Sequence, residues 1–161
     1  MTIKLLITGG TIDCEYIEGD KYFFKKTHLP EMLEQGKCKL DIQEEIIMLK
    51  DSIYMIDEDR TKILQACKDC NEDKIIITHG TDTMVETAQV LGKNIKNKTI
   101  VLLGAMVPFN QKKSDGLFNL GCAVSAVQCL SKGIYITMNG SIFNWNNVRK
   151  NKTLGLFENI K

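Results

Sequence analysis

The chain has 161 residues, enough for one hydrophobic core without disulfide or metal staples. Hydrophobic residues make up 43% and charged residues 25%, the balance of a globular domain, which excludes a disordered or low-complexity chain. Lys and Arg number 21 against 20 Asp and Glu, so the net charge of +1 supplies no basic field for nucleic acid.

In chain order, residues 3–7 form an apolar run ended by Thr8-Gly9-Gly10, which predicts a buried strand. This run falls far short of the roughly 20 apolar residues of a membrane span and carries no export signal. Residues 11–27 are polar with scattered aromatics, and a short helix is predicted near Leu29-Pro30, where proline suits a first turn. Residues 45–49 read as a second strand. Residues 57–70 read as a helix with Ile63, Leu64, Cys67 and Cys70 on one face and Asp57 as its cap. Residues 74–78, with three consecutive isoleucines, predict a third strand. A helix over 81–91 follows, stopped at Gly92. Residues 99–103 are β-rich. Residues 114–130 carry Leu117, Leu120, Val124 and Val127 at helical spacing, and Gly133 follows. A fifth strand spans 134–138, and the tail from Asn139 holds short, mixed pieces.

Strands alternating with helices imply right-handed βαβ units. The reading is one three-layer α/β domain over residues 1–161, a mostly parallel sheet with helices on both faces, flavodoxin- or Rossmann-like. The cysteines at 14, 38, 67, 70, 122 and 129 lie mostly in apolar stretches, as small hydrophobes of a reducing compartment, so a cytoplasmic location is expected. Cys67-Lys68-Asp69-Cys70 has no second ligand pair for zinc. It sits at a helix end rather than a helix start, so packing is its reading.

Ligands of such sheets bind beyond the carboxyl ends of the strands. The segments there are Thr8-Gly9-Gly10-Thr11-Ile12-Asp13, Thr78-His79-Gly80-Thr81-Asp82-Thr83-Met84, Gly104-Ala105-Met106-Val107-Pro108 and Asn139-Gly140-Ser141. They carry hydroxyls, small residues and acids, with no metal-ligand spacing, and lack the phosphate-loop and Gly-x-Gly-x-x-Gly patterns. Thr81 or Asp82 could simply cap a helix. A hydroxyl, a carboxylate and free backbone N–H groups opposite Thr11 are also what acyl transfer needs. His79 precedes the turn and reads as structural. Arg149-Lys150-Asn151-Lys152, taken alone, is a solvated basic cluster.

Together these segments resemble the bacterial-type L-asparaginase family. The resemblance rests on Thr8-Gly9-Gly10-Thr11-Ile12, on His79-Gly80-Thr81-Asp82-Thr83-Met84-Val85-Glu86-Thr87-Ala88, and on Gly104-Ala105-Met106-x-Pro108 followed by Ser114-Asp115-Gly116-x-x-Asn119-Leu120. All three occur in order, each after a predicted strand. Cys122-Ala123-Val124 and Met138-Asn139-Gly140 match the short branch that lacks the C-terminal domain of longer members. Val107 stands where the family often has arginine.

The resemblance implies two-step hydrolysis of L-asparagine to L-aspartate and ammonia through a threonine acyl-enzyme. Thr11 matches the nucleophile and Tyr16 the loop tyrosine that activates it, with Tyr22 the competing candidate. Thr81 and Asp82 match the second threonine and its neighbouring acid, and Lys150 the lysine that polarises that threonine. Ser52 matches a residue that binds the substrate α-carboxylate, and Asp82 also matches the contact to its α-ammonium. Gly10, Asp51, Gly80 and Ala105 complete the implied substrate-binding set. No metal or organic cofactor is implied. The implied partner is asparagine, with glutamine possible, in a homo-oligomer (dimer or tetramer) with no nucleic acid or membrane. Two other readings accommodate the same fold: a non-catalytic module binding an amino acid or nucleotide, and an inactive relative acting as an interaction protein.

Overall fold

The computed structural model describes residues 1–161. Side chains on a strand alternate between its two faces, so an unbroken apolar run needs cover on both sides. Ile76, Val101 and Leu103 enter one core, and Ile75, Ile77, Ile100 and Leu102 enter the other.

The elements are β1 (Thr2–Gly9), a hairpin of β2 (Tyr16–Glu18) and β3 (Lys21–Phe23), α1 (Leu29–Gln35), β4 (Asp41–Lys50), α2 (Asp57–Asp69) and β5 (Lys74–Thr78). There follow α3 (Met84–Asn94), β6 (Thr99–Leu103), α4 (Gly116–Cys129), β7 (Gly133–Met138), β8 (Ser141–Asn144) and a second hairpin, β9 (Arg149–Asn151) with β10 (Leu156–Glu158). The main sheet has the order β4-β1-β5-β6-β7-β8. Its first five strands are parallel, and β8 returns antiparallel to β7. Helices cover both faces, as the expected α/β architecture requires. No helix is long and apolar enough to cross a membrane.

Four details depart from the sequence reading. β4 begins at Asp41, because residues 41–44 pair with Thr2–Leu5 of β1 although this edge strand offers no apolar run there. Asp57 does not cap α2; the Asp59 carboxylate accepts from the Ile56 backbone N–H at 3.1 Å and from the Lys50 ammonium. α3 starts only at Met84 and runs through Gly92 to Asn94. Gly92 is a packing position, since a Cβ there would overlap the Trp145 indole.

The fourth departure concerns handedness. The α3 residues Met84, Ala88 and Leu91 lie in one core, whereas Leu120, Ala123 and Val127 of α4 lie in the other, with Leu29 and Met32 of α1. The crossovers β5–α3–β6 and β6–α4–β7 step across the sheet in the same direction but over opposite faces, so their hands are opposite. The crossovers through α1, α2 and α3 share one hand, the right-handed one that twisted strands favour. The α4 crossover is therefore left-handed.

Buried Asn119 holds this crossover in place. Its Nδ2 donates to Gly104 O and Asp115 Oδ2, each at 2.9 Å, and its Oδ1 accepts from the Asn139 N–H at 2.9 Å. The ends of β6 and β7 are thus tied to one side chain. Asn119→Ala leaves those backbone groups unsatisfied and should cost about 2–3 kcal/mol, read as a lower urea midpoint with an unchanged slope.

Candidate active site

In a parallel sheet, a ligand crevice opens where neighbouring strands send their connections to opposite faces. Here one such point, where the strand order also reverses, lies between β1, whose chain runs through α1 to β4 on one side, and β5, whose chain runs through α3 to β6 on the other. Gly10 has φ +79° and ψ −179°, a conformation open essentially to glycine alone. A Cβ on Gly10 would also collide with the backbone of Gly80. The two loops therefore meet backbone to backbone, with Thr11 and Thr81 each one residue beyond the contact. Thr11, half-buried, opens a 3-10 turn over Thr11–Asp13.

Thr81 is nearly buried, and the Lys150 ammonium donates to its Oγ1 at 2.8 Å and to Asp82 Oδ1 at 2.8 Å. The Lys150 side chain is 13% exposed, and that of Asp82 is 41% exposed. Its neighbour Arg149 is 64% exposed and pairs with Glu158 at 2.8 Å on the outer side of the hairpin. Strand alternation separates these two cations. Phe157, opposite Lys150 in the β9–β10 pairing, is buried with Val148 and packs on Phe143 at 6.5 Å between ring centroids. These apolar anchors aim one lysine of the basic cluster inward and leave the arginine in solvent. Thr81 and Asp82 precede α3 and cap nothing, so their side chains are free for the crevice.

The end of β4 supplies the third wall. Asp51 Oδ1 accepts from the Ile53 N–H at 3.1 Å, and Thr83 Oγ1 donates to Ser52 O at 2.9 Å. Ser52 Oγ, packed against Gly80, and Asp51 Oδ2 are both buried without a protein partner. Buried polar atoms are nearly always paired, so two adjacent orphans at a crevice are what a polar ligand would satisfy.

The tyrosines divide between the faces of the β2–β3 hairpin. Tyr16 is 52% exposed and stacks on Phe23 at 4.6 Å. Tyr22 pairs with Ile17 across the hairpin and lines a cavity of about 490 Å³ with Phe24, Leu49, Lys50, Asp51 and Tyr54. Tyr22 is thus the tyrosine beside Asp51, while Tyr16 is held on the opposite face.

Beyond β6, Ala105 is buried, and Met106 places its sulfur 3.8 Å from Thr81 Oγ1. The Asp115 carboxylate accepts from the N–H groups of Met106 and Val107 at 2.9–3.1 Å and fixes this loop. Met106, Asp115 and Asn119 were given no role on sequence grounds; the spacing of Asp115 and Asn119, four apart at a helix start after a glycine-bearing loop, was the available signal. His79 is fully buried. Its Nδ1 bonds to Gly80 O at 2.7 Å and so carries the proton, while Nε2 accepts from the Thr87 hydroxyl at 2.8 Å. Both nitrogens are satisfied, as a structural histidine requires. Cys67 lies in the core, its thiol pushed up to about 12 by burial, which suits packing rather than reactivity.

Comparison with known proteins gives a consistent picture. The family model "Asparaginase, N-terminal" matches residues 2–158. A probable periplasmic L-asparaginase of Haemophilus influenzae is 34% identical over 164 aligned positions, which cover 94% of this chain and 46% of that protein. The solved thermostable L-asparaginase of Thermococcus kodakarensis superposes with a TM-score of 0.87 at 30% identity, covering 99% of this chain and 51% of the other. The probable cytoplasmic L-asparaginase of Campylobacter jejuni gives 0.80 at 34% identity, covering 98% and 51%. The chain thus spans about half the length of the relatives it matches.

The buried imidazole has a measurable consequence. Burial lowers the His79 pKa from 6.5 to about 4. Between those values the unfolded chain binds a proton that the folded chain refuses, so stability falls as pH drops, by about 3 kcal/mol through this group. Urea unfolding near pH 7 and near pH 4 should show a smaller acid loss for His79→Gln than for the unsubstituted protein.

Proposed function

The chain belongs to the asparaginase family, and from that premise we propose that it is an amidohydrolase of the L-asparaginase type, converting L-asparagine to L-aspartate and ammonia. The observation that carries the proposal is the single ammonium of Lys150 bonded at 2.8 Å to both Thr81 and Asp82, on the loop whose backbone abuts the one bearing Thr11.

In this mechanism Thr11 Oγ attacks the side-chain amide carbon. A threonine hydroxyl is a weak nucleophile near neutral pH and needs a partner to take its proton. That partner is the hairpin tyrosine, Tyr16 as the family pattern has it, or Tyr22 from the face beside Asp51. The C–N bond then breaks, and nitrogen leaves as ammonia with the proton Thr11 gave up. Water attacks the resulting ester, freeing aspartate and restoring the hydroxyl.

Lys150 donates to Thr81 Oγ1, whose own proton is directed at the Met106 sulfur, and any negative charge on the Thr81 oxygen is stabilised by the ammonium. The same ammonium holds Asp82 in place for the α-ammonium of an amino acid. Ser52 Oγ, buried and unpartnered beside Gly80, supports a role for Ser52 toward the α-carboxylate, with Gly10, Asp51, Gly80 and Ala105 as the rest of the binding set in this reading. Glutamine differs from asparagine by one methylene, worth only about 1–3 kcal/mol of discrimination, so asparagine preference rests on the family.

A cytoplasmic location is part of the proposal, supported by six free cysteines. A homo-oligomer is also part of it. Exposed Ile53 and Tyr54 follow the edge strand β4, and exposed Ile142 lies on the opposite edge strand β8, apolar side chains of the kind an assembly would cover.

Ammonia release from asparagine and glutamine by the purified chain, alongside calorimetric binding, tests the reading. Turnover supports it; binding without turnover favours a small-molecule binding module; neither leaves an interaction protein. Thr11→Ala, at a half-buried turn position, should abolish turnover with an unchanged melting temperature. Lys150→Met keeps the packed stem and removes the charge, and should lower kcat by roughly 100-fold or more. Near-normal kcat in the lysine variant would remove Lys150 from the mechanism.

A further inference from the structure

The β2–β3 hairpin is rooted in a cluster of titratable side chains that the chemistry above does not use. Asp13 is fully buried; its Oδ1 accepts from the His28 N–H at 2.7 Å, and its two oxygens accept from the Thr27 hydroxyl at 3.0 and 3.2 Å. Asp13 precedes the hairpin and Thr27 and His28 follow it, so these bonds join the two ends of the segment that carries both tyrosines.

His28 is 5% exposed. Its Nε2 lies 3.3 Å from Glu15 Oε2 and its Nδ1 3.8 Å from Glu31 Oε2. Neither ring nitrogen makes a hydrogen bond, and Glu15 Oε2 is buried without one, so the groups are close but not aligned. Asp51 lies near enough to act on Cys14 through its charge. The Phe109 ring tilts over the imidazole at 5.9 Å, and Asn110 donates to Glu15 O at 2.6 Å. Buried Cys14, between Asp13 and Glu15, has its thiol held up by burial and so adds no charge. Asp13, Glu15 and Glu31 thus place three carboxyl groups around His28.

We propose that Asp13, bonded to the Thr27 hydroxyl and the His28 N–H, forms a proton-operated clasp, in which proton uptake tightens the root of the hairpin and seats it over the crevice beside Thr11. Asp13 is then a positioning residue for the hairpin tyrosine. The sign follows from burial and charge together. Burial raises the Asp13 carboxyl to about 6, against the pull of its hydrogen bonds and of His28. A carboxyl that binds protons more tightly in the closed arrangement than in water favours closure when protonated and opening when ionised.

Hydrogen–deuterium exchange of the full chain without substrate, at about pH 5.5 and about pH 7.5 and corrected for intrinsic rates, tests the clasp. Amides of residues 14–26 should exchange roughly fourfold more slowly in acid, while those of β5 and β6 stay unchanged. Asp13→Asn, which keeps an acceptor for the His28 N–H but no charge, should show near pH 7.5 the protection the unsubstituted chain reaches only near pH 5.5. Equal or faster hairpin exchange in acid overturns the proposal, as does an Asp13→Asn protein whose hairpin is looser at both pH values. If that variant does not fold, the pH comparison on the unsubstituted chain decides alone. The clasp rests on the amidohydrolase reading only for what the hairpin covers. With turnover, KM for asparagine should rise from acid to neutral pH in the unsubstituted enzyme and stay flat in Asp13→Asn. Without turnover, the exchange result stands by itself, so failure of one reading does not imply failure of the other.

Discussion

Adjacent parallel strands whose chains depart to opposite faces leave a gap at their carboxyl ends, and the candidate site is organised around that gap between β1 and β5. Gly10 and Gly80 close its floor, with no room for a methyl group between them. Each is followed by a threonine, so the backbone contact fixes the separation of the two hydroxyl-bearing loops. The end of β4 and the loop beyond β6 then enclose the gap with Ser52, Asp51 and Met106. Movement of either glycine would shift every one of these groups relative to Thr11.

The parts of this arrangement that depend on local pattern were legible in the sequence. Continuous apolar runs marked the central strands, because a sheet covered on both faces tolerates no polar alternation, and glycine-rich segments marked their carboxyl ends. The start of β4 was not legible, since an edge strand needs only backbone pairing and its residues 41–44 look like a loop. The α4 crossover hand was not legible either. Local sequence carries no sign of hand, and the buried bonds of Asn119 that hold the reversed connection form only once β6 and β7 are side by side.

The site shows the same division. Thr11, Thr81 and Asp82 followed from strand–loop position. Lys150 came only through family resemblance, because in sequence it is one cation among Arg149 and Lys152. What distinguishes it is burial of Phe157 and Val148, which turns one face of a three-residue strand toward the core. Asp13 escaped notice for a related reason. An acid after a glycine turn looks like a surface residue until Thr27 and His28, some fourteen positions on, supply its partners.

The anchoring of Lys150 on the last hairpin sets an order of acquisition during synthesis. All five parallel strands, both glycine loops, Thr11, Thr81 and Asp82 are translated before residue 150. Chains are made from the N-terminus at about 5–20 residues per second, and early segments collapse as they emerge. The main sheet and both glycine loops thus precede in the chain the residue that pairs with the Asp82 carboxylate. The cation reaches Asp82 only when β9 and β10 pack against Phe143, so the Thr81–Asp82–Lys150 cluster is completed by a contact of the last hairpin rather than by formation of the main sheet.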